Sequence, residues 1–228
     1  MAEPAQKIDM QANDVDIPAG GVWLRGDLDV SDQAQGVVLF AHGSGSSRLS
    51  PRNQFVARTI REAGVATLLF DLLTKDEETI DIQTAQLRFD IGFLAKRLID
   101  ATEWIHRELP GLRVGYFGSS TGGGAALVAA AVVGESIGAV VLRGGRPDLA
   151  GSALPKVKSP TLLIVGGLDY PVIKMNEEAL AKLRCEKELK IVPGATHLFE
   201  EPGTLEQVAM LAADCFREYL KPAYVTSE

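Results

Sequence analysis

From residue 36 to its end, the chain alternates short runs rich in β-branched and apolar residues, the first of them (36–41) unbroken, with longer stretches of helical pattern. A strand that is apolar at every position must be covered on both faces, and helices provide that cover. The runs fall at 36–41, 65–70, 113–117, 139–142, 161–165 and 189–192. Helices are expected near 53–63, 87–108, 120–133, 172–183 and 205–219. Residues 74–85 are acidic and polar, and read as a loop or a short helix. Ahead of these elements, 14–17 and 22–29 read as two strands joined at Pro18-Ala19-Gly20-Gly21 in a hairpin. Residues 1–12 read as a loose tail.

This order predicts an α/β fold: a mostly parallel, doubly wound sheet with antiparallel N-terminal strands. The chain has 228 residues and no repeat, low-complexity segment or linker, so residues 1–228 are expected to form a single domain. A domain of this size buries roughly 70% of the surface its unfolded chain exposes, enough to hold together without a disulfide or a metal. Only residues 143–160 separate two late strands, which leaves no room for a large cap.

In such sheets ligands bind at the carboxyl ends of the strands, so the informative residues are those just past each run. After 113–117 comes Gly118-Ser119-Ser120-Thr121-Gly122. This G-x-S-x-G lies between a strand and a helix, the setting of a nucleophile elbow. Gly118 and Gly122 flank Ser120 symmetrically and favour it over Ser119. A serine hydroxyl needs a base. His106 lies inside a helix and His42 follows an early strand, whereas His197 follows the last strand, at the same sheet edge as Ser120. Asp169 follows the run at 161–165 and completes the order Ser, Asp, His, with Asp148 as the competing carboxylate. Glu200 and Glu201 adjoin His197 and read as caps of the last helix. Asp71 precedes the serine and suits a loop or substrate-side role.

An oxyanion hole would draw one donor from the Thr121 N–H and another from the loop His42-Gly43-Ser44-Gly45-Ser46-Ser47-Arg48. Ser44 is the expected second donor, with Gly43 and Gly45 left open, and His42 is expected to hold the loop. Arg48, Arg143 and Arg146 lie in loops near the same edge. They suit either a substrate anion or salt bridges between loops.

The net charge of −7 argues against nucleic acid and anionic membrane as partners. The glycine-rich loop after the first parallel strand suits a phosphate, but no Gly-Lys occurs in the chain and Arg48 stands where a dinucleotide fingerprint needs glycine. Cys185 and Cys215, both in helix-like stretches, form no CxxC and read as inert thiols of a reducing compartment. No N-terminal apolar signal is apparent, so a cytoplasmic location is expected, with no cofactor and no metal.

Taken together, the His42-Gly43 loop, Gly118–Gly122, Asp169 and His197 resemble the dienelactone hydrolase-like branch of the α/β-hydrolases over nearly the whole chain. The stretches Arg143–Leu149 and Pro193–Phe199 resemble a subgroup sometimes found fused to, or encoded with, phosphoribosyltransferase domains. Dienelactone hydrolases themselves use a cysteine nucleophile, where this chain has Ser120. The resemblance therefore implies a serine hydrolase of small carboxylic esters, acting through an acyl-enzyme. Lactone or thioester hydrolysis on the same triad is the nearest alternative. Peptidase and cofactor-free haloperoxidase chemistry use the same triad, and a non-catalytic scaffold or a phosphate-binding module is the reading from another class. The expected partner is a small ester, and the assembly, homodimer included, is open.

Overall fold

The computed structural model describes residues 13–221; the expected tail at 1–12 lies outside them. β1 (Asn13–Ala19) and β2 (Val22–Asp29) pair antiparallel. The turn is tighter than the sequence suggests. Pro18 and Ala19 stay in β1, and Gly20 and Gly21 alone make the reversal, both at positive φ. Proline is tolerated there because β1 is an edge strand.

The remaining strands are β3 (Gly36–Ala41), β4 (Ala66–Phe70), β5 (Arg113–Ser119), β6 (Ile137–Arg143), β7 (Thr161–Gly166) and β8 (Lys187–Val192). They run parallel to one another, and the eight-stranded order is β1-β2-β4-β3-β5-β6-β7-β8. Every residue of β3, β4, β6 and β7 is buried, as strands covered by helices on both faces require.

The helices are α1 (Pro51–Glu62), α2 (Lys75–Thr84), α3 (Ile91–Glu108), α4 (Thr121–Val133), α5 (Tyr170–Lys182) and α6 (Thr204–Tyr219). One apolar cluster joins α3, α4 and α5 to one face of the sheet, and a second joins α1 and α6 to the other. Proline opens α1 and the Ser50 side chain accepts the Asn53 N–H, so this helix begins ahead of its apolar pattern. The acidic stretch forms α2 because Thr74 and Glu77 make a reciprocal capping box.

Two expectations need correction. The long helix begins at Ile91, not near 87. The Leu87 and Arg88 N–H groups donate to Asp81 Oδ1, and Asp90 caps the helix by accepting from the Phe93 N–H. Cys185 lies between α5 and β8 rather than in a helix, whereas Cys215 is helical; both thiols are free. Between β6 and β7 the chain makes only a 3₁₀ segment, Pro147–Lys156, kinked at Gly151, so no large cap is inserted between these two strands.

Candidate active site

β3 and β5 lie side by side, with Ala41 opposite Gly118. The chain leaving β3 passes through α1 to β4 on one side, and the chain leaving β5 passes through α4 to β6 on the other. The order reverses here, so the two loops part and open a crevice at the carboxyl ends.

Ser120 occupies that point at φ 48, ψ −123, a strained conformation for a residue with a side chain. The surroundings hold it there. Its carbonyl accepts the Gly123 and Arg146 N–H groups at 3.0 and 2.9 Å. A Cβ at Gly122 would lie 2.1 Å from the Ala41 carbonyl oxygen, and one at Gly118 would lie 2.6 Å from Gly123 Cα. Both flanking glycines are therefore required by close backbone approach. Ser119, the competing serine, is buried and its Oγ donates to Asn53 Oδ1 at 3.2 Å.

His197 lies in the loop after β8. Its Nδ1 is 2.7 Å from Asp169 Oδ2. Asp169 sits at the N-cap of α5 but makes no capping bond, which leaves its carboxylate for the imidazole. The two loops are joined directly, since the Leu168 N–H donates to the Ala195 carbonyl at 2.9 Å. Gly144, at φ +51, lies under the ring: a Cβ there would be 3.4 Å from His197 Cε1 and Nδ1.

Ser120 and His197 line one cleft of about 570 Å³, together with Ser119, Ser44, Arg52, Arg143 and Glu78. No hydrogen bond joins Ser120 Oγ to His197 Nε2 among the described residues; the ring's bond is the one from Nδ1 to Asp169. The rival Asp148 is taken by Arg146, in a two-bond pair at 2.8 and 2.7 Å. Glu201 accepts from the Thr196 N–H and Oγ1, which steadies the histidine loop rather than capping α6. Glu200 contacts Arg52.

His42 holds its loop, as the sequence suggests. Its Nε2 accepts the Leu72 N–H at 3.0 Å and its Nδ1 faces the Gly43 carbonyl at 3.0 Å, so Nδ1 carries the proton. Burial lowers its pKa and keeps the ring neutral. His106 is exposed on α3. Thr121 opens α4, so its N–H has no intrahelical acceptor. The Ser44 N–H does not stand free: it donates to Thr121 Oγ1 at 2.9 Å.

The three arginines expected in loops part company, and Arg143 is not in a loop but ends β6. Arg48 is bound to Asp71 by its backbone N–H and its Nη1, both at 2.8 Å, and contacts Asp27. Arg146 is paired with Asp148. Neither faces the serine cleft. Arg143 does, beside Arg52, a residue at the start of α1 that carries no motif and escaped the reading of the sequence.

Among the described residues there is no cluster of three or more His, Cys, Asp or Glu side chains able to hold a metal, and no helix long and apolar enough to cross a membrane.

The family model of dienelactone hydrolases matches residues 25–221. A dienelactone hydrolase from Anabaena variabilis is 59% identical, superposes with a TM-score of 0.92, and is covered in full by 94% of this chain. An esterase from Pyrococcus furiosus shares the fold at a TM-score of 0.77 and 17% identity, with 92% of this chain and 94% of that one covered. A Mycobacterium tuberculosis protein named a putative phosphoribosyl transferase is 54% identical over 213 residues, 92% of this chain and 47% of that protein. The chain spans about half the length of the curated relatives it matches.

Proposed function

The chain belongs to the dienelactone hydrolase family, and from that premise we propose that it hydrolyses small carboxylic esters through an acyl-enzyme on Ser120. The observation that carries this reading is the pairing of a strained, glycine-flanked serine with a histidine bonded to a carboxylate at 2.7 Å across the same cleft.

In the first step Ser120 Oγ attacks the ester carbonyl as His197 Nε2 takes its proton. Asp169 accepts the Nδ1–H, fixes the tautomer and stabilises the imidazolium. The Thr121 N–H receives the developing oxyanion. Ser44 is the second donor, and its N–H exchanges Thr121 Oγ1 for the substrate oxygen as the ester seats. Each such donor is worth about 10²–10³ in rate. His197 then protonates the departing alcohol, and water repeats the sequence in reverse roles.

A lactone is an internal ester opened by the same attack. The name of the Anabaena relative supports including lactones among the substrates tried. The absence of a large cap between β6 and β7 supports small esters over long lipids. The test is turnover of 4-nitrophenyl acetate by wild type and Ser120→Ala, with the fold checked by circular dichroism. Abolished turnover with the fold retained is expected; unchanged turnover would remove Ser120 from the mechanism.

A further inference from the structure

The serine cleft has one wall that the hydrolytic step does not use. Arg143 ends β6, one strand over from the elbow, with its backbone opposite Ser119. It is only 7% exposed, yet no carboxylate lies within ion-pair distance of it among the described residues. Its Nη1 is buried without a hydrogen-bond partner. Arg52 lines the same cleft from α1, and its Nε is a second buried donor without a partner. Burial, and then the like charge of Arg52, pull the Arg143 pKa down to about 10, so the Arg143 guanidinium is still charged at neutral pH.

A buried unpaired cation such as Arg143 is costly, and the like charge of the part-exposed Arg52 beside it adds to the cost. Ordinary folding pressure removes such an arrangement or supplies a carboxylate. Arg48, Arg146 and Arg88 in this same molecule are all supplied with one. Arg52 has a single contact, to Glu200 at 3.3 Å on the solvent side, and Glu78 lines the cleft from α2. Two guanidinium groups with open donors, beside the reacting serine, make a receptor for a compact oxyanion.

We propose that Arg143 and Arg52 form an anion subsite, and that the ester cleaved at Ser120 carries a carboxylate or phosphate held there. The proposal rests on the serine hydrolase reading for its substrate but not for its binding, so the two can fail separately. Loss of a hydrogen bond to a charged group predicts about a 10- to 100-fold change in the preference for an anionic over a neutral ester.

The test has a binding arm and a kinetic arm. In the first, succinate and inorganic phosphate are titrated into Ser120→Ala by calorimetry, with and without Arg143→Gln. Saturable binding that Arg143→Gln abolishes supports the subsite, and the tighter of the two anions identifies the group. No binding of either anion overturns it, whatever the enzyme does to esters. In the second, kcat/KM is compared for the 4-nitrophenyl monoester of succinic acid and for 4-nitrophenyl butyrate. Wild type is expected to prefer the anionic ester, and Arg52→Gln, on the more exposed member of the pair, to lose most of that preference through KM. Equal losses on both esters would assign the arginines to general stabilisation of the site and overturn the proposal. Arg52→Gln keeps the test open if Arg143→Gln fails to fold.

Discussion

Replacing Ser120 by glycine should make the protein more stable while ending its activity. Ser120 has φ 48 and ψ −123, in a region that costs a residue with a Cβ about 1–3 kcal/mol. Glycine escapes that cost but loses about 0.5–1 kcal/mol through the greater freedom of its unfolded chain. The Ser120 side chain makes no hydrogen bond among the described residues, so its removal forfeits little else. Alanine keeps the Cβ and hence the strain. The useful comparison is therefore Ser120→Gly against Ser120→Ala, both inactive. The glycine variant is expected to be about 1–2 kcal/mol more stable. For a domain of this size that is a rise of about 2–8 °C in Tm. Thermal unfolding of the two variants by calorimetry measures the difference. Equal Tm values, or a lower one for glycine, would refute the claim that the elbow stores strain at this residue.

Asp169→Asn should keep the fold and lower kcat by about 10³–10⁴, because the amide presents the wrong partner to His197 Nδ1; a loss below tenfold on 4-nitrophenyl acetate would reopen the choice of acid. Gly122→Ala should cost about 1–3 kcal/mol or more in urea denaturation and depress kcat sharply, since its Cβ must push the Ala41 carbonyl, and with it the loop after β3, away from the elbow. Folded His42 resists protonation, so the unfolded chain binds more protons below the ordinary value of 6.5. Stability is therefore fully present above pH 6.5 and falls as pH drops from there toward the folded pKa. Subtracting the pH profile of His42→Gln from that of wild type isolates this contribution, and parallel profiles would contradict it.

Much of this architecture is legible in the residues, for physical reasons that can be named. β3 has the predicted bounds because a strand covered on both faces is apolar throughout. The elbow is legible because backbone approach at Gly118 and Gly122 admits no side chain, which leaves a spacing in the sequence. Asp169 and His197 follow from strand order. The start of α3 is hidden because Asp81, a residue of the preceding helix, takes the N–H groups of Leu87 and Arg88. The ion pairs are hidden too. Arg48 meets Asp71 across 23 positions of chain, and nothing local distinguishes it from Arg143, which meets no carboxylate among the described residues. Arg52 belongs to an ordinary helical turn, and only the packing of α1 against β4 and α6 brings it to the cleft. Long-range pairing of charges is settled by the fold, so the sequence offers candidates for a binding wall without choosing among them.

The central claim is that Ser120, and not its neighbour, becomes acylated. A fluorophosphonate probe reacts only with an activated serine, and peptide mapping by mass spectrometry locates the adduct. One adduct per chain is expected, on Ser120, formed quickly in wild type and slowly in Asp169→Asn. An adduct on Ser119, or none on a protein that still hydrolyses esters, would contradict it.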